Sequence, residues 1–370
     1  TEAIRSNGDV IAVDPWLCKG CGTCSTVCPS GALGFQFPRV PDVGLRVKTL
    51  LSEYARTGGR DACIVFHAAE DGAAAIARLA RRGRGLPARV IPVEVWSADA
   101  VGLDLMLGSL ALGACQVAVL AAGSHDAAPL EAQAGYGQTI LSALGYAGEH
   151  LRIIEADAED WQALERALWS WTPATGVAVP ARFRLLPKKR ETLDFALRHL
   201  VQHAPAAQAA PGLPAAIALK AGAPFGQVVV SDACTLCMAC TGACPAGALR
   251  AATDSYRLDF IERNCLQCGL CVASCPESAL ALEPRLALGE EARRARALRE
   301  ADMFHCTACG KAMGAAPLIE SMIARLSGHS MFATEAERAR LRMCADCRVI
   351  DMMKSESTSS SAVKAWDLSE

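Results

Sequence analysis

The sequence predicts an α/β plus α+β protein made of several modules, and three observations carry that reading. Residues 60–172 alternate short β-branched runs with helical stretches. Eight cysteines crowd into 234–275 at metal-ligand spacing. Two further Cys-x2-Cys pairs flank a helical insert near the C-terminus. In the first region, strands are expected at 62–66, 89–95, 116–120 and 151–155, with helices at 71–82, 98–112, 129–147 and 158–171. Repeats of this spacing imply parallel strands joined by right-handed crossovers. With 52% apolar residues but only 5% aromatic, Ala, Leu and Val carry the core.

A chain of 370 residues is too long for one ordinary core. The expected modules are a cysteine half-motif at 1–37 and a parallel α/β domain at 58–175. A helix near 189–203 and a Pro/Ala linker fill 176–227. A two-cluster cysteine domain follows at 228–284. A charged helix (289–301) and a four-cysteine region occupy 285–350, and a Ser-rich tail at 351–370 reads as disordered. The apolar stretch 101–122 is long enough to span a bilayer, but it holds Asp104 and three glycines. It reads as a buried helix ending near Gly113 followed by a strand. The net charge of −2 gives no footing for nucleic acid, and no membrane insertion is expected.

Of 18 cysteines, all but Cys63 and Cys115 fall into four groups. Thiols grouped at ligand spacing imply a reducing compartment, so a cytoplasmic location is expected. Residues 1–13 lack the charged-then-apolar pattern of a signal peptide.

The strongest signal is Cys234-x2-Cys237-x2-Cys240-x3-Cys244-Pro followed by Cys265-x2-Cys268-x2-Cys271-x3-Cys275-Pro. Three thiolates two residues apart wrap one face of an iron–sulfur cubane, and the cysteine before proline reaches the partner cluster. One [4Fe-4S] cluster is therefore assigned to Cys234, Cys237, Cys240 and Cys275, and a second to Cys265, Cys268, Cys271 and Cys244. Paired zinc sites would use Cys-x2-Cys pairs instead of triplets.

Cys18-x2-Cys21-x2-Cys24-x3-Cys28-Pro has the same form but stands alone. By the exchange rule its triplet lacks a fourth ligand, and Cys28 points to a cluster with no other ligands in this chain. The strand at 8–14 resembles the middle of a two-cluster domain, so a matching motif is expected ahead of Thr1. Without one, a single cluster with an outside or non-cysteine ligand is the alternative. Cys306-x2-Cys309 and Cys344-x2-Cys347 read instead as two knuckles on one Zn2+, with His305 and His329 as alternative ligands and an iron–sulfur cluster as the lesser occupant. The helical stripe Leu318, Ile319, Met322, Ile323 and Leu326 is expected to pack against that site.

The remaining features are weaker. Cys63 and Cys115 read as core residues. His67 ends the first strand of the α/β region, where open parallel sheets bind ligands, but reads as a loop histidine. No glycine-rich phosphate loop occurs, and Gly83 and Gly85 follow a helix as capping glycines. Arg78, Arg81, Arg82 and Arg84 form a solvated helix end or a docking patch for an acidic partner. No catalytic constellation can be named.

Residues 228–284 resemble a bacterial dicluster ferredoxin domain. The 60–125 segment, with Arg-Val-Ile-Pro-Val-Glu-Val at 89–95, resembles the small iron–sulfur subunit found with heterodisulfide reductase and methyl-viologen-reducing hydrogenase. That family's cluster cysteines are unmatched, so its activity is not carried over. The order of modules is similar to the large 4Fe-4S proteins encoded beside bacterial molybdenum formate dehydrogenases. Those also end in a His-Cys-x2-Cys-Gly-Lys … Met-Cys-x2-Cys block, as at 305–311 and 343–347. The residues together predict a small parallel α/β domain, a dicluster ferredoxin-like domain and a C-terminal zinc-knuckle helical region. The resemblance implies electron transfer or assembly support for a formate dehydrogenase system, and the expected role is an electron carrier for a redox protein partner, without catalysis of its own. A maturation or scaffold protein for a molybdenum enzyme and a redox subunit of a disulfide-reducing complex are the alternatives.

Overall fold

The computed structural model describes residues 2–361 except 9, 123–125, 157–158, 209–211 and 254. The chain divides into two compact units, Thr1–Pro224 with Pro284–Leu288, and Phe225–Glu283 with Gly289–Glu370. The stretches 1–37, 58–175 and nearly all of 176–227 thus fall in one unit.

The first unit is built on a four-stranded parallel sheet in the order Val90–Val95, Cys63–Ala68, Gln116–Leu120, Leu151–Ile154. Its two central strands are buried almost throughout, which is why they read as unbroken apolar runs and not as alternating ones. On one face Ala75 and Leu79 of helix Asp71–Arg82 and Leu164 and Leu168 of helix Trp161–Trp169 pack with Cys63, Val65, Ala118 and Leu120. The expected 98–112 helix is divided. Ser97 caps a short 3-10 turn, Ala98–Ala100, by accepting the Asp99 amide, and extended Gly102 separates it from helix Leu103–Ala111. That helix is buried along its whole length and packs against Val40–Arg56, Ala128–Ala143 and Lys189–Gln202. Among the described residues, no helix is long and apolar enough to cross a membrane. The helix Val40–Arg56 is absent from the sequence-based expectations. Its buried residues Val43, Val47 and Leu51 recur every fourth position behind a proline in its first turn, a legible signal. The run of arginines ends a helix tied down by ion pairs Arg78–Glu159 and Arg84–Glu165.

In the second unit, Arg296–Glu300, Arg257–Phe260 and Leu249–Ala251 form an antiparallel sheet. The expected charged helix at 289–301 is instead a 3-10 turn, Glu290–Arg293, and that edge strand. Its charges suit a solvated edge as well as a helix face, and Arg299 pairs with Asp232 across to the neighbouring loop. The 351–370 stretch is also corrected. Helix Ala345–Ser361 enters it, with Asp351 and Ser355 held by Arg340, while 362–370 lies outside the described residues.

Candidate iron–sulfur and metal sites

Each three-cysteine loop is shaped by two left-handed residues flanking its middle cysteine. They are Leu236 (φ 59°) and Met238 (φ 62°) around Cys237, and Gln267 (φ 56°) and Gly269 (φ 78°) around Cys268. A left-handed conformation costs a non-glycine residue about 1–2 kcal/mol. Its recurrence at three such residues marks a backbone curl that the thiols require, turning them to one side. Each loop then enters a single helical turn, Ala239–Gly242 or Leu270–Ala273, that carries the third cysteine.

The fourth cysteines cross over. Cys234, Cys237, Cys240 and Cys275 line one small cavity, and Cys265, Cys268, Cys271 and Cys244 line a second. Each fourth thiol accepts the amide four residues on, Ala248 N to Cys244 Sγ at 3.2 Å and Ala279 N to Cys275 Sγ at 3.3 Å. Burial, with Cys234 and Cys237 close by, pushes the Cys240 thiol up to about 12. Burial and Cys265 push Cys271 to about 11. A cation bound beside Cys240 and Cys271 would offset that cost, which is the chemistry of a metal site. Thr235, at the first cavity, has a buried hydroxyl with no partner, and Gln267, at the second, a buried carbonyl oxygen with none. Thiols, shape and spare polar atoms all fit a cubane.

The N-terminal loop repeats the same turns, with Gly20 (φ 66°) and Gly22 (φ 84°) around Cys21, then helix Thr23–Val27. Cys18 is exposed and Cys21, Cys24 and Cys28 are half-buried. Although burial acts to raise it, Cys28 is held down at about 7 by the Ser30 hydroxyl and the amides of Leu33, Gly31 and Ser30. The loop is anchored by a residue that sequence reading missed. The Lys189 ammonium donates to the carbonyls of Ser25 (2.8 Å), Thr26 (2.7 Å) and Cys28 (3.2 Å), while Thr26 Oγ1 donates to Asp99 O at 2.6 Å. A lysine near a buried Asp104 and distant in sequence leaves no local signal. Gly22 is needed for space as well as for φ, since a Cβ there would stand 2.5 Å from that of Ala100.

At the C-terminus, Cys306, Cys309, Cys344 and Cys347 bring their sulfurs within 4.8 Å of one another. The first pair sits in the turn between strands Met303–His305 and Ala312–Ala315, where Gly310 takes φ 74°. The second pair opens helix Ala345–Ser361. Thr307 N donates to Arg342 O at 3.1 Å and Cys344 N to Cys306 Sγ at 3.2 Å, closing the two knuckles on each other. The Cys344 amide is the main reason Cys306 is lowered to about 6. A Zn–S bond of about 2.3 Å gives a tetrahedron edge of about 3.8 Å, and Cys309 Sγ and Cys344 Sγ are 3.8 Å apart. A cubane places four irons between its thiolates and spreads them wider than these sulfurs lie, and the four cysteines could hold a metal ion. Neither histidine joins the group. His305 Nδ1 contacts Gly310 O at 3.0 Å, and His329 Nδ1 accepts the Met331 amide at 3.2 Å. The helical stripe is also corrected, because Leu318 packs against the core cluster of the cysteine domain while Met322 and Leu326 are exposed.

Cys63 lies fully buried in the central strand, where burial pushes its thiol to about 12, and Cys115 is half-buried. His67 is a buried strand residue and not a loop histidine, packed against Gly72.

Two family models match the chain. A 4Fe-4S dicluster domain covers residues 233–280, and a 4Fe-4S binding domain covers residues 10–33. No curated protein matches. The chain therefore carries ferredoxin-type 4Fe-4S domains, which suggest an iron–sulfur protein of electron transfer.

Proposed function

We propose that this protein is an electron carrier with two complete [4Fe-4S] clusters in residues 234–275 and a structural zinc ion on Cys306, Cys309, Cys344 and Cys347. The observation that carries the reading is the crossing of Cys275 and Cys244 into each other's cavities. A crossed pair ties both halves of the domain to both clusters, which suits wiring with little rearrangement between redox states. Bound there, the clusters supply one-electron chemistry over a wide range of potentials. The chain's own residues hold the thiolates, seal each cavity with Leu236, Leu258 and Leu280 or with Val228, Phe260 and Leu282, and place the Ala248 and Ala279 amides on the sulfurs of Cys244 and Cys275. The order of modules supports a formate dehydrogenase-type system as the redox partner.

Anaerobic metal analysis tests this: about eight irons held by residues 234–275, one zinc, and rapid reversible reduction followed by EPR are expected. Clusters that cannot be cycled, or zinc in place of iron at 234–275, overturn it. Capture from the native host without any formate dehydrogenase removes the named partner and leaves the carrier role standing.

A further inference from the structure

In cysteine spacing and in backbone, the N-terminal motif repeats the later half of residues 225–283. Strand Val10–Val13 precedes Cys18 by the same interval at which Arg257–Phe260 precedes Cys265. Every cysteine from Cys18 to Cys28 then matches one from Cys265 to Cys275 at the same spacing. Strand Ile4–Asn7 pairs antiparallel with Val10–Val13, Ile4 opposite Val13. Leu249–Ala251 pairs in the same way with its partner strand, Leu249 opposite Phe260.

The equivalence extends to the first residues. After each Cys-Pro the third residue beyond the cysteine is left-handed: Gly31 (φ 75°), Gly247 (φ 58°) and Ser278 (φ 48°). Glu2 has the same conformation, φ 52°, and is followed by buried Ala3 and then Ile4, as Gly247 is by buried Ala248 and then Leu249. Residues 2–4 thus have the form of the end of a Cys-Pro turn. Burial departs from this pattern on one face. Leu249, Leu258 and Phe260 are 2%, 1% and 0% exposed, whereas their counterparts Ile4, Ile11 and Val13 are 44%, 60% and 46% exposed. In residues 225–283 that face is covered by the first half of the domain, including Val228 and Leu236.

We propose that residues 2–32 are the second half of a split two-cluster ferredoxin. A first half, carrying its own Cys-x2-Cys-x2-Cys-x3-Cys-Pro and running directly into Thr1, would cover Ile4, Ile11 and Val13. It rests on the reading of such loops as cubane ligands. The occupant is a contiguous segment and not a second copy of this chain. Ile4–Asn7 already holds the sheet edge that the first half's last strand takes in residues 249–251, and a second copy would bring a competing strand. The first half supplies the fourth ligand for Cys18, Cys21 and Cys24 and the triplet that Cys28 completes.

Residues 226–245 of this chain, which contain such a first half, serve as the probe when fused ahead of Thr1. Anaerobic reconstitution of the unfused chain should give about eight irons and the fusion about sixteen. Cys28 should react with iodoacetamide in the reconstituted unfused chain and be protected in the fusion. Protection of Cys28 in the unfused monomer overturns the proposal, whether or not the fusion folds. Protection only in an unfused dimer, read by sedimentation, does so in favour of a second copy. A folded fusion that gains no iron while residues 234–275 keep theirs also overturns it. Loss of iron from residues 234–275 themselves instead defeats the reading under Proposed function.

Discussion

Residues 10–33 and 233–280 carry the same cysteine spacing and the same left-handed turns, yet they resolve the cost of those turns differently. The N-terminal loop places glycine at both special positions, Gly20 and Gly22, while the first loop of the pair uses Leu236 and Met238. Leu236 is buried in the core between the two halves, so its side chain returns in packing what its backbone costs. In the N-terminal loop Gly20 and Gly22 take the same left-handed turns without that backbone cost. At Gly22, moreover, a Cβ would strike Ala100. Loop shape is local; what the loop is worth depends on what lies opposite.

That contrast can be broken at several points. Cys275→Ser has the largest expected effect: loss of about four of about eight irons, with zinc retained, by metal analysis. Loss of zinc, or of iron from both clusters equally, would contradict the crossed grouping. Phe260→Ala should destabilise the second unit by about 3–5 kcal/mol, the range for a large buried aromatic. The matching change Val13→Ala in the exposed hairpin should stay within about 0.5 kcal/mol. Equal costs in denaturant titrations would show that the two hairpins are packed alike. Lys189→Met keeps the packing but abandons three carbonyls, and a loss of about 1.5–3 kcal/mol confined to the first unit is expected, with faster hydrogen exchange in helix Thr23–Val27. Stripping the proposed zinc with a chelator should speed exchange in strands Met303–His305 and Ala312–Ala315 and leave the parallel sheet unchanged. The smallest change is Met238→Gly, where relief of the left-handed backbone is offset by a freer unfolded chain, for a net effect under about 1 kcal/mol.

Much of the candidate site was legible because cluster ligation imposes covalent spacing on the sequence. The parallel sheet was legible because strands buried on both faces leave apolar runs between amphipathic helices. The 289–301 stretch misled for a physical reason: an exposed edge strand and an exposed helix face carry the same charged residues, and only pairing with Arg257–Phe260 separates them. Residues 351–361 misled similarly, since a serine-rich run has no apolar face to report and its helix is fastened by Arg340 from outside.

By itself, then, the sequence determined which thiols stand in three-cysteine loops and which in Cys-x2-Cys pairs, since those spacings are written along one chain. Tertiary structure alone decided that Cys275 and Cys244 cross between the two loops of residues 234–275, that Lys189 grips the first loop, and that four sulfurs at 306–347 converge closely enough to hold a metal ion. Those outcomes depend on residues far apart in the chain meeting in space, and no local pattern encodes such a meeting.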